Sequence, residues 1–439
     1  MPILTHPFKL SATALSVSIL TVSVLAPTLA PTTANAAGFA LREQSTYGQG
    51  MSFAGVAAGG DISTSFWNPA NTSEVGESME FSGQLSIIDA KTDIKTTGAS
   101  NVIYGGLNET GDTGGTSAIP AIYFASRINE ATAWGLSLTV PFGLGTEADR
   151  GSRSQYVALE SSAESINITP TVTYEAAPGL NIGAGLQLQK FDVTLTSALP
   201  VGAAAGRFSA LDPVLELAGD DTSVGYTLGV NYTAGKTAFG LGYRSSIDHE
   251  LEGQIKVSAL GFSNDIKVDL ETPSLLTLGI KHQATNAVTL AATVERADWS
   301  TVGIIPVQNA RTGGIQTFNG SPVALPFGYK DTTYYSFGGE YAYSANTVLR
   351  TGIGYDETTV RDNTRTTRLP DNDRYWLSFG ATHTLSSGVK VDWGFTHVRL
   401  KEEAVININQ SHIAFNGLPY TGTADPTVNI LSVAFTKPF

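Results

Sequence analysis

A period of two runs through this chain and recurs many times. Phe81, Gly83, Leu85 and Ile87 alternate with Glu80, Ser82, Gln84 and Ser86. Leu180, Ile182, Ala184, Leu186 and Leu188 alternate with Asn181, Gly183, Gly185 and Gln187. Val224, Tyr226, Leu228, Val230 and Tyr232 form another such row, and so do Leu349, Thr351, Ile353 and Tyr355. Successive side chains of a strand point to opposite faces, so each run is a strand with one apolar and one polar face. Runs of this kind lie near 80–90, 119–128, 132–140, 164–174, 180–195, 222–233, 237–257, 274–282, 287–295, 331–342, 347–356, 374–385, 389–404 and 426–439, about fourteen in all.

The connections narrow the fold. Very short turns recur at Asn129-Glu130, Ala177-Pro178-Gly179, Ala234-Gly235-Lys236, Ala284-Thr285-Asn286, Ser344-Ala345-Asn346 and Ser386-Ser387-Gly388. They alternate with long loops near 91–118, 141–163, 196–221, 258–273, 296–330, 357–373 and 405–425. Transmembrane barrels have short turns on one side of the membrane and long loops on the other. A soluble β-sandwich would not keep that rhythm. A closed barrel also pairs every backbone group, which a bilayer demands. The expected fold is all-β, a transmembrane antiparallel β-barrel of about fourteen strands, the even count returning both ends to the periplasmic side.

The two ends agree. Lys9, the apolar stretch Ser11 to Ala26 and the small-x-small site Ala34-Asn35-Ala36 read as a secretory signal over 1–36, with the mature chain starting at Ala37. A permanent anchor is disfavoured because the stretch is short and ends in Pro27 and Pro31. At the other end Leu431, Val433 and Phe435 lead to the terminal Phe439. Outer-membrane barrels present such a last strand to their assembly machinery. Lys437 shares that parity, and at a strand end its ammonium can snorkel to the headgroups.

Composition excludes other classes. No run of about 20 apolar residues follows the signal, so membrane helices are not expected. The net charge of −13 argues against nucleic acid. The absence of cysteine suits an envelope protein. The expected location is the outer membrane of a Gram-negative cell, among lipid and lipopolysaccharide.

Residues 37–78 lack alternation and are rich in Gly, Ala and Ser, with Ala54-Gly55-Val56-Ala57-Ala58-Gly59-Gly60 at the centre. Fourteen strands enclose a lumen too wide for side chains alone to fill. The segment therefore reads as a hatch folded into the barrel 79–439, a periplasmic tail being the alternative. Within it, Asn68-Pro69-Ala70 combines a fixed φ with a side chain that bonds neighbouring main chain.

Catalytic chemistry is not in evidence. The six histidines lack metal-type spacing, and neither a Gly-x-Ser-x-Gly elbow nor a phosphate loop occurs. Asp371-Asn372-Asp373 reads as a turn held by Arg374 rather than a calcium loop. No catalytic residue, metal or cofactor is expected, and the chain does not read as an enzyme. Two loops are too apolar for ordinary surface. One, 196–221, carries Leu199, Val201, Phe208, Leu211, Val214, Leu215 and Leu217, the last three compatible with a helix. The other, 258–273, carries Ala259, Leu260, Phe262 and Ile266. By parity Tyr335, Phe337, Gly339 and Tyr341 face lipid, which turns Lys330 inward. Arg244, Arg350 and Arg374 are inward by the same test, either pairing with lumen carboxylates or meeting an anionic ligand. Lys190 has lipid-facing parity.

Several ordered motifs resemble one family. They are Ala37-Gly38-Phe39-Ala40-Leu41-Arg42-Glu43-Gln44-Ser45, then Gly48, Ala54-Gly55 and Asn68-Pro69-Ala70. Phe142-Gly143-Leu144 with Thr146-Glu147 and Lys330-Asp331-Thr332 follow. Leu349-Arg350-Thr351-Gly352 with Tyr355-Asp356, and Leu369-Pro370-Asp371-Asn372-Asp373-Arg374-Tyr375-Trp376, complete the set. Together they resemble the outer-membrane long-chain fatty-acid transporters (FadL-like), one branch of which carries toluene and xylene. The resemblance implies a monomeric barrel with a hatch and lateral exit through a wall gap, the Asn68-Pro69-Ala70 segment lying near that gap. It implies passive uptake of long-chain fatty acids, or alternatively aromatic hydrocarbons; a general porin is a further, weaker reading. It also implies an outer groove formed by the two apolar loops, with Phe208, Leu211, Leu215, Leu260 and Phe262, and an inner site to which Lys330 corresponds.

Overall fold

The computed structural model describes residues 38–76 and 78–439. The signal segment, its cleavage site and Ala37 lie outside the described residues.

Fourteen antiparallel strands close into one barrel. They are β1 (Met79–Thr96), β2 (Gly115–Arg127), β3 (Thr132–Thr139, resuming as Gly143–Glu147), β4 (Glu160–Ala177) and β5 (Leu180–Ala198). Next come β6 (Val214–Ala234), β7 (Thr237–Arg244, then Ile247–Val257), β8 (Phe262–Thr272, then Leu275–Gln283) and β9 (Val288–Ala297). The last are β10 (Thr332–Ser344), β11 (Thr347–Asp356), β12 (Arg374–Thr384), β13 (Lys390–Leu400, then Ala404–Ile408) and β14 (Tyr420–Pro438). Each pairs with its sequence neighbours, and β1 closes on β14 from Glu80↔Pro438 to Thr96↔Gly422. Closure removes the free edges that hydrocarbon cannot solvate.

The alternation selects the faces as expected. Phe81, Leu85, Leu186, Leu188, Phe337 and Ile353 are exposed on the outside, while Ser82, Gln84, Gln187, Gln189 and Ser336 are buried inside. Burying polar groups inward works because they find partners there, such as Ser432 with Ser86 at 2.6 Å.

Two expectations need correction. The supposed loop 196–221 is shortened to 199–213, because β5 runs to Ala198 and β6 starts at Val214. Val214, Leu215 and Leu217 are therefore extended, not helical, and pair with Ala198, Ser197 and Leu195. The supposed loop 258–273 likewise reduces to a short turn followed by the first segment of β8. The strands continue beyond the lipid belt, where the apolar outer row that reveals them ends.

Residues 38–76 lie against the inner wall. Their backbone comes so close that the wall is built of glycine there. A Cβ on Gly240 would sit 1.8 Å from the Ala57 carbonyl oxygen, and one on Gly352 would sit 2.1 Å from that of Met51. Glycine inside a strand often marks such an approach of another backbone. Tyr47 bridges the segment to the wall by donating to Glu340, with the Arg350 guanidinium 4.1 Å above its ring. Gly352→Val is expected to displace this segment at a cost of about 1–3 kcal/mol, lowering thermal stability and raising ion conductance in planar bilayers. Unchanged stability and conductance would refute the close fit.

Candidate functional site

The polarity of the wall inverts along single strands. On β5, Leu186 and Leu188 face outward, whereas farther along Phe191, Val193 and Leu195 face inward and Asp192 lies outside. On β6 the outward row Val224 to Tyr232 gives way to inward Leu215 and Leu217, with Asp220 and Glu216 outside. The outer charges pair with one another, for example Lys267 with Glu250 at 2.6 Å and Lys190 with Asp192 at 3.0 Å. A wall that is charged outside and apolar inside stands in water and shelters an apolar interior.

That interior is a cavity of about 390 Å³. Leu144, Phe191, Leu217, Leu251, Val268 and Leu270 form its strand walls. Its cover comes from the 298–331 connection, which the sequence offered only as a loop. There Ile304–Pro306 pairs with Ala324–Pro326, and Ile305, Phe318, Leu325 and Phe327 face the cavity. Small-molecule sites are typically of this size and this apolar.

Phe39 forms part of the cavity floor. Its ring lies 4.7 Å from Trp299, 5.7 Å from Phe142 and 6.0 Å from Phe191, centre to centre. Phe142 belongs to a break in the barrel wall. The β2–β3 ladder stops at Ile122↔Leu138, and the second segment of β3 pairs with β4 alone among the described strands. Pro141 cannot donate to a ladder, which favours leaving the sheet there. The inner segment satisfies the displaced backbone. Leu41 N–H donates to the Pro141 carbonyl at 2.8 Å, and Gly143 N–H to that of Phe39 at 2.8 Å. The Gln44 amide donates to the Val140 carbonyl at 2.7 Å and accepts from Val140 N–H at 3.1 Å.

The residues singled out from sequence fall in different places. Arg244 is inward, but its guanidinium stacks 4.2 Å over Phe66 and donates to the Phe66 carbonyl and to Gln187. Arg350 donates to Thr382 at 2.6 Å and lies 3.5 Å from Asp392. Arg374 pairs with Asp371 at 2.5 Å. None of the three lines the cavity. Neither does Lys330, which is half-buried and tied through its backbone to Thr359. Of the apolar set, Leu215 lines the cavity. Phe208 packs on Tyr104 and Tyr156, at 4.9 and 5.4 Å, and Phe262 packs on Phe318 at 5.0 Å. Leu211 and Leu260 are 88% and 54% exposed. The set expected to share one groove is thus divided between two apolar clusters and the surface, because the strand extensions hold its members apart. Asn68, Pro69 and Ala70 lie against Gly183 of β5 and Gly229 of β6, with Asn68 capping a short helical turn. Lys190 is exposed, as its parity required.

Two cations line the cavity. Arg153 is committed to Glu109 at 2.8 Å. Arg368 donates to the Glu160 and Thr196 carbonyls and to the Ser161 hydroxyl, at 3.0, 3.1 and 3.0 Å. It makes no ion pair among the described residues. Burial pulls its pKa down to about 10, which leaves it cationic at neutral pH. Strand parity says nothing about a loop residue, so no periodicity points to Arg368.

Residues 27–439 match the model of a family described as outer membrane protein transport protein (OMPP1/FadL/TodX). The chain belongs to this family. The family comprises outer-membrane transporters rather than enzymes, and this transporter is an outer-membrane protein. It is 26% identical over 415 residues to a long-chain fatty acid transport protein of Escherichia coli, covering 87% of this chain and 91% of that one. It is also 26% identical to outer membrane protein P1 of Haemophilus influenzae, covering 84% and 87%. A Pseudomonas aeruginosa FadL homologue shares the fold with TM-score 0.80 at 21% identity, covering 92% of this chain and 100% of the other. The Ralstonia pickettii toluene transporter TbuX does so at 0.65 and 20% identity, covering 90% and 98%.

The aromatic floor gives this transporter a sharp stability test. Phe191→Ala removes a fully buried ring and is expected to cost about 3–5 kcal/mol in denaturant unfolding of the purified barrel. A loss below about 1 kcal/mol would show that the floor does not depend on this packing.

Proposed function

We propose that the protein takes up long-chain fatty acids passively across the Gram-negative outer membrane and releases them sideways into the bilayer. One observation carries this reading: Phe39 to Leu41 both floors the apolar cavity and hydrogen-bonds the break in the wall. A hydrophobic ligand leaving the cavity at that point would meet lipid at once, with no aqueous passage to cross. Residues 37–78 then act as the hatch, and movement of Phe39–Leu41 opens the route. The break lies where Pro141 interrupts β3. A polar-lined general pore fits poorly with a lumen occupied by this segment.

Transfer of an apolar chain from water into such a site contributes about 0.8 kcal/mol per buried CH₂. That favours long chains over short ones without any energy source. Aromatic hydrocarbons are the second reading, favoured by the ring-rich lining of Phe39, Phe191, Phe318 and Phe327. In the same proposal the barrel works as a monomer in lipid and lipopolysaccharide, and Phe439, exposed at the end of β14, engages the assembly machinery. Neither a metal nor a cofactor takes part.

A Gram-negative host lacking its own fatty-acid transporter is expected to regain growth on oleate when it carries this gene. Failure to grow despite normal insertion of the protein would sink the fatty-acid reading. Uptake of toluene without oleate would establish the second one.

A further inference from the structure

We propose that Glu43 makes the seal of the hatch over the wall break sensitive to pH: the segment stays seated while this carboxyl carries a proton and loosens when it ionises. The proposal rests on the reading of residues 37–78 as a hatch and adds what controls its movement.

Four neighbouring hatch residues work in two directions. Leu41 and Gln44 bond the break, at Pro141 and Val140. Arg42 and Glu43, between them, turn to the wall of β9–β12. Arg42 meets Glu295 of β9 at 2.6 Å, stacks 3.8 Å over the Tyr334 ring of β10 and lies 3.6 Å from Asp356 of β11. Glu43 is within electrostatic reach of Arg42, of Tyr334 and of Arg374 on β12. Asp371, on the 357–373 connection, pairs with Arg374 at 2.5 Å. From the other side Tyr123 of β2 donates to the Gln44 carbonyl at 2.7 Å, and Gln84 of β1 donates to the Glu43 carbonyl at 3.2 Å.

The charges of this cluster do not balance. Two guanidiniums, Arg42 and Arg374, face four carboxyls, Glu43, Glu295, Asp356 and Asp371. The close partner of Arg42 is Glu295, and that of Arg374 is Asp371. Glu43 is 2% exposed, and its Oε2 has no hydrogen-bond partner among the described residues. A buried carboxylate in that condition is costly, and a proton removes the charge. Burial accordingly pushes the Glu43 carboxyl from its ordinary 4.5 up to about 7, against the pull of the Glu43 and Arg42 backbone N–H groups and of the Arg42 and Arg374 charges.

A displaced hatch gives Glu43 back to water and to its ordinary value. The seated state then holds a proton over a range in which the displaced state does not. Seating is fully favoured below about pH 4.5, weakens by up to about tenfold per pH unit as pH rises, and levels off above about pH 7. Acid locks the seal, and a neutral or alkaline medium loosens it.

The chain has no cysteine, so single introduced cysteines report position. Leu41→Cys puts a thiol in the seal, where the parent residue is 3% exposed, and Leu211→Cys puts one where the parent residue is 88% exposed. The measurement is maleimide labelling of each in the full mature protein in a phospholipid bilayer, from about pH 5 to about pH 8. Taking the ratio of the two rates removes the ordinary ionisation of a thiol. The ratio is expected to rise by about tenfold or more up to about pH 7 and then to level off. With Glu43→Gln added, which keeps the shape and cannot ionise, the ratio should stay low throughout. Glu43→Asp should keep the rise, because the acid remains. A flat, low ratio with Glu43 in place overturns the proposal, and so does a rise that survives Glu43→Gln. A high ratio at every pH in Glu43→Gln overturns it as well, since a neutral side chain there should hold the seat. A ratio near one at every pH with Glu43 in place overturns the seated hatch together with the switch. The readout uses no cargo, so growth on oleate tests uptake separately.

Discussion

A bilayer offers no partner to a backbone N–H or C=O, so a chain crossing it on strands must close its own ladder. Everything else in this molecule follows from how that demand is met. Twelve of the wall's junctions and the β1–β14 seam meet it with continuous or locally shifted pairing. At β3 the ladder opens above Ile122↔Leu138. An unpaired polar group in an apolar medium costs several kcal/mol, so an opening persists only when something else takes the orphaned groups. Here the N-terminal segment takes them, through Leu41, Phe39 and Gln44. The break and the segment inside the barrel are therefore coupled through these hydrogen bonds.

That coupling explains why the lumen is shaped as it is. The segment must lie against the wall to reach Pro141, and its backbone approaches Gly240, Gly242 and Gly352 more closely than any side chain would permit. Some of its polar contacts with the wall are charged and buried, beside neutral ones such as Ser52 with Ser378 at 2.7 Å. Arg42 reaches Glu295 at 2.6 Å, and Lys281 donates to Tyr47 at 2.7 Å. Breaking such a pair one partner at a time is expensive, whereas the intact pair is only modestly stabilising. The segment is thus held in register by contacts that favour one position, while the energy of leaving that position is spread over many small terms.

Much of this was legible in the sequence. The rows Leu180–Leu188 and Val224–Tyr232 identify lipid-facing strands because membrane burial acts on one face only. The turn at Ala177-Pro178-Gly179 and its equivalents set the count. Parity put Arg244 and Arg350 inside correctly, yet it could not say what they meet there. The partners, Phe66 and Tyr47, lie in a segment distant in sequence. The ends of the strands were missed for a physical reason. Above the lipid, Asp192, Glu216 and Glu252 occupy outward positions, so the apolar outer row that marks a strand disappears while its hydrogen bonding continues.

The same residues carry a signal that was present and unread. On β5 the apolar parity switches between Leu188 and Phe191, and on β6 between Leu217 and Val224, with no break in the β5–β6 register. A strand whose apolar face changes side without a bulge must pass from a medium that is apolar outside to one that is aqueous outside. It must also pass from a polar interior to a dry one. The switch therefore marks two boundaries at once, the edge of the lipid and the entrance of the apolar chamber. By composition alone Leu215 and Leu217 belong to an apolar loop; in register they are the inner wall of that chamber. What no periodicity could locate is the cation within it, because Arg368 sits on a connection, where side-chain direction follows from the fold rather than from position along a strand.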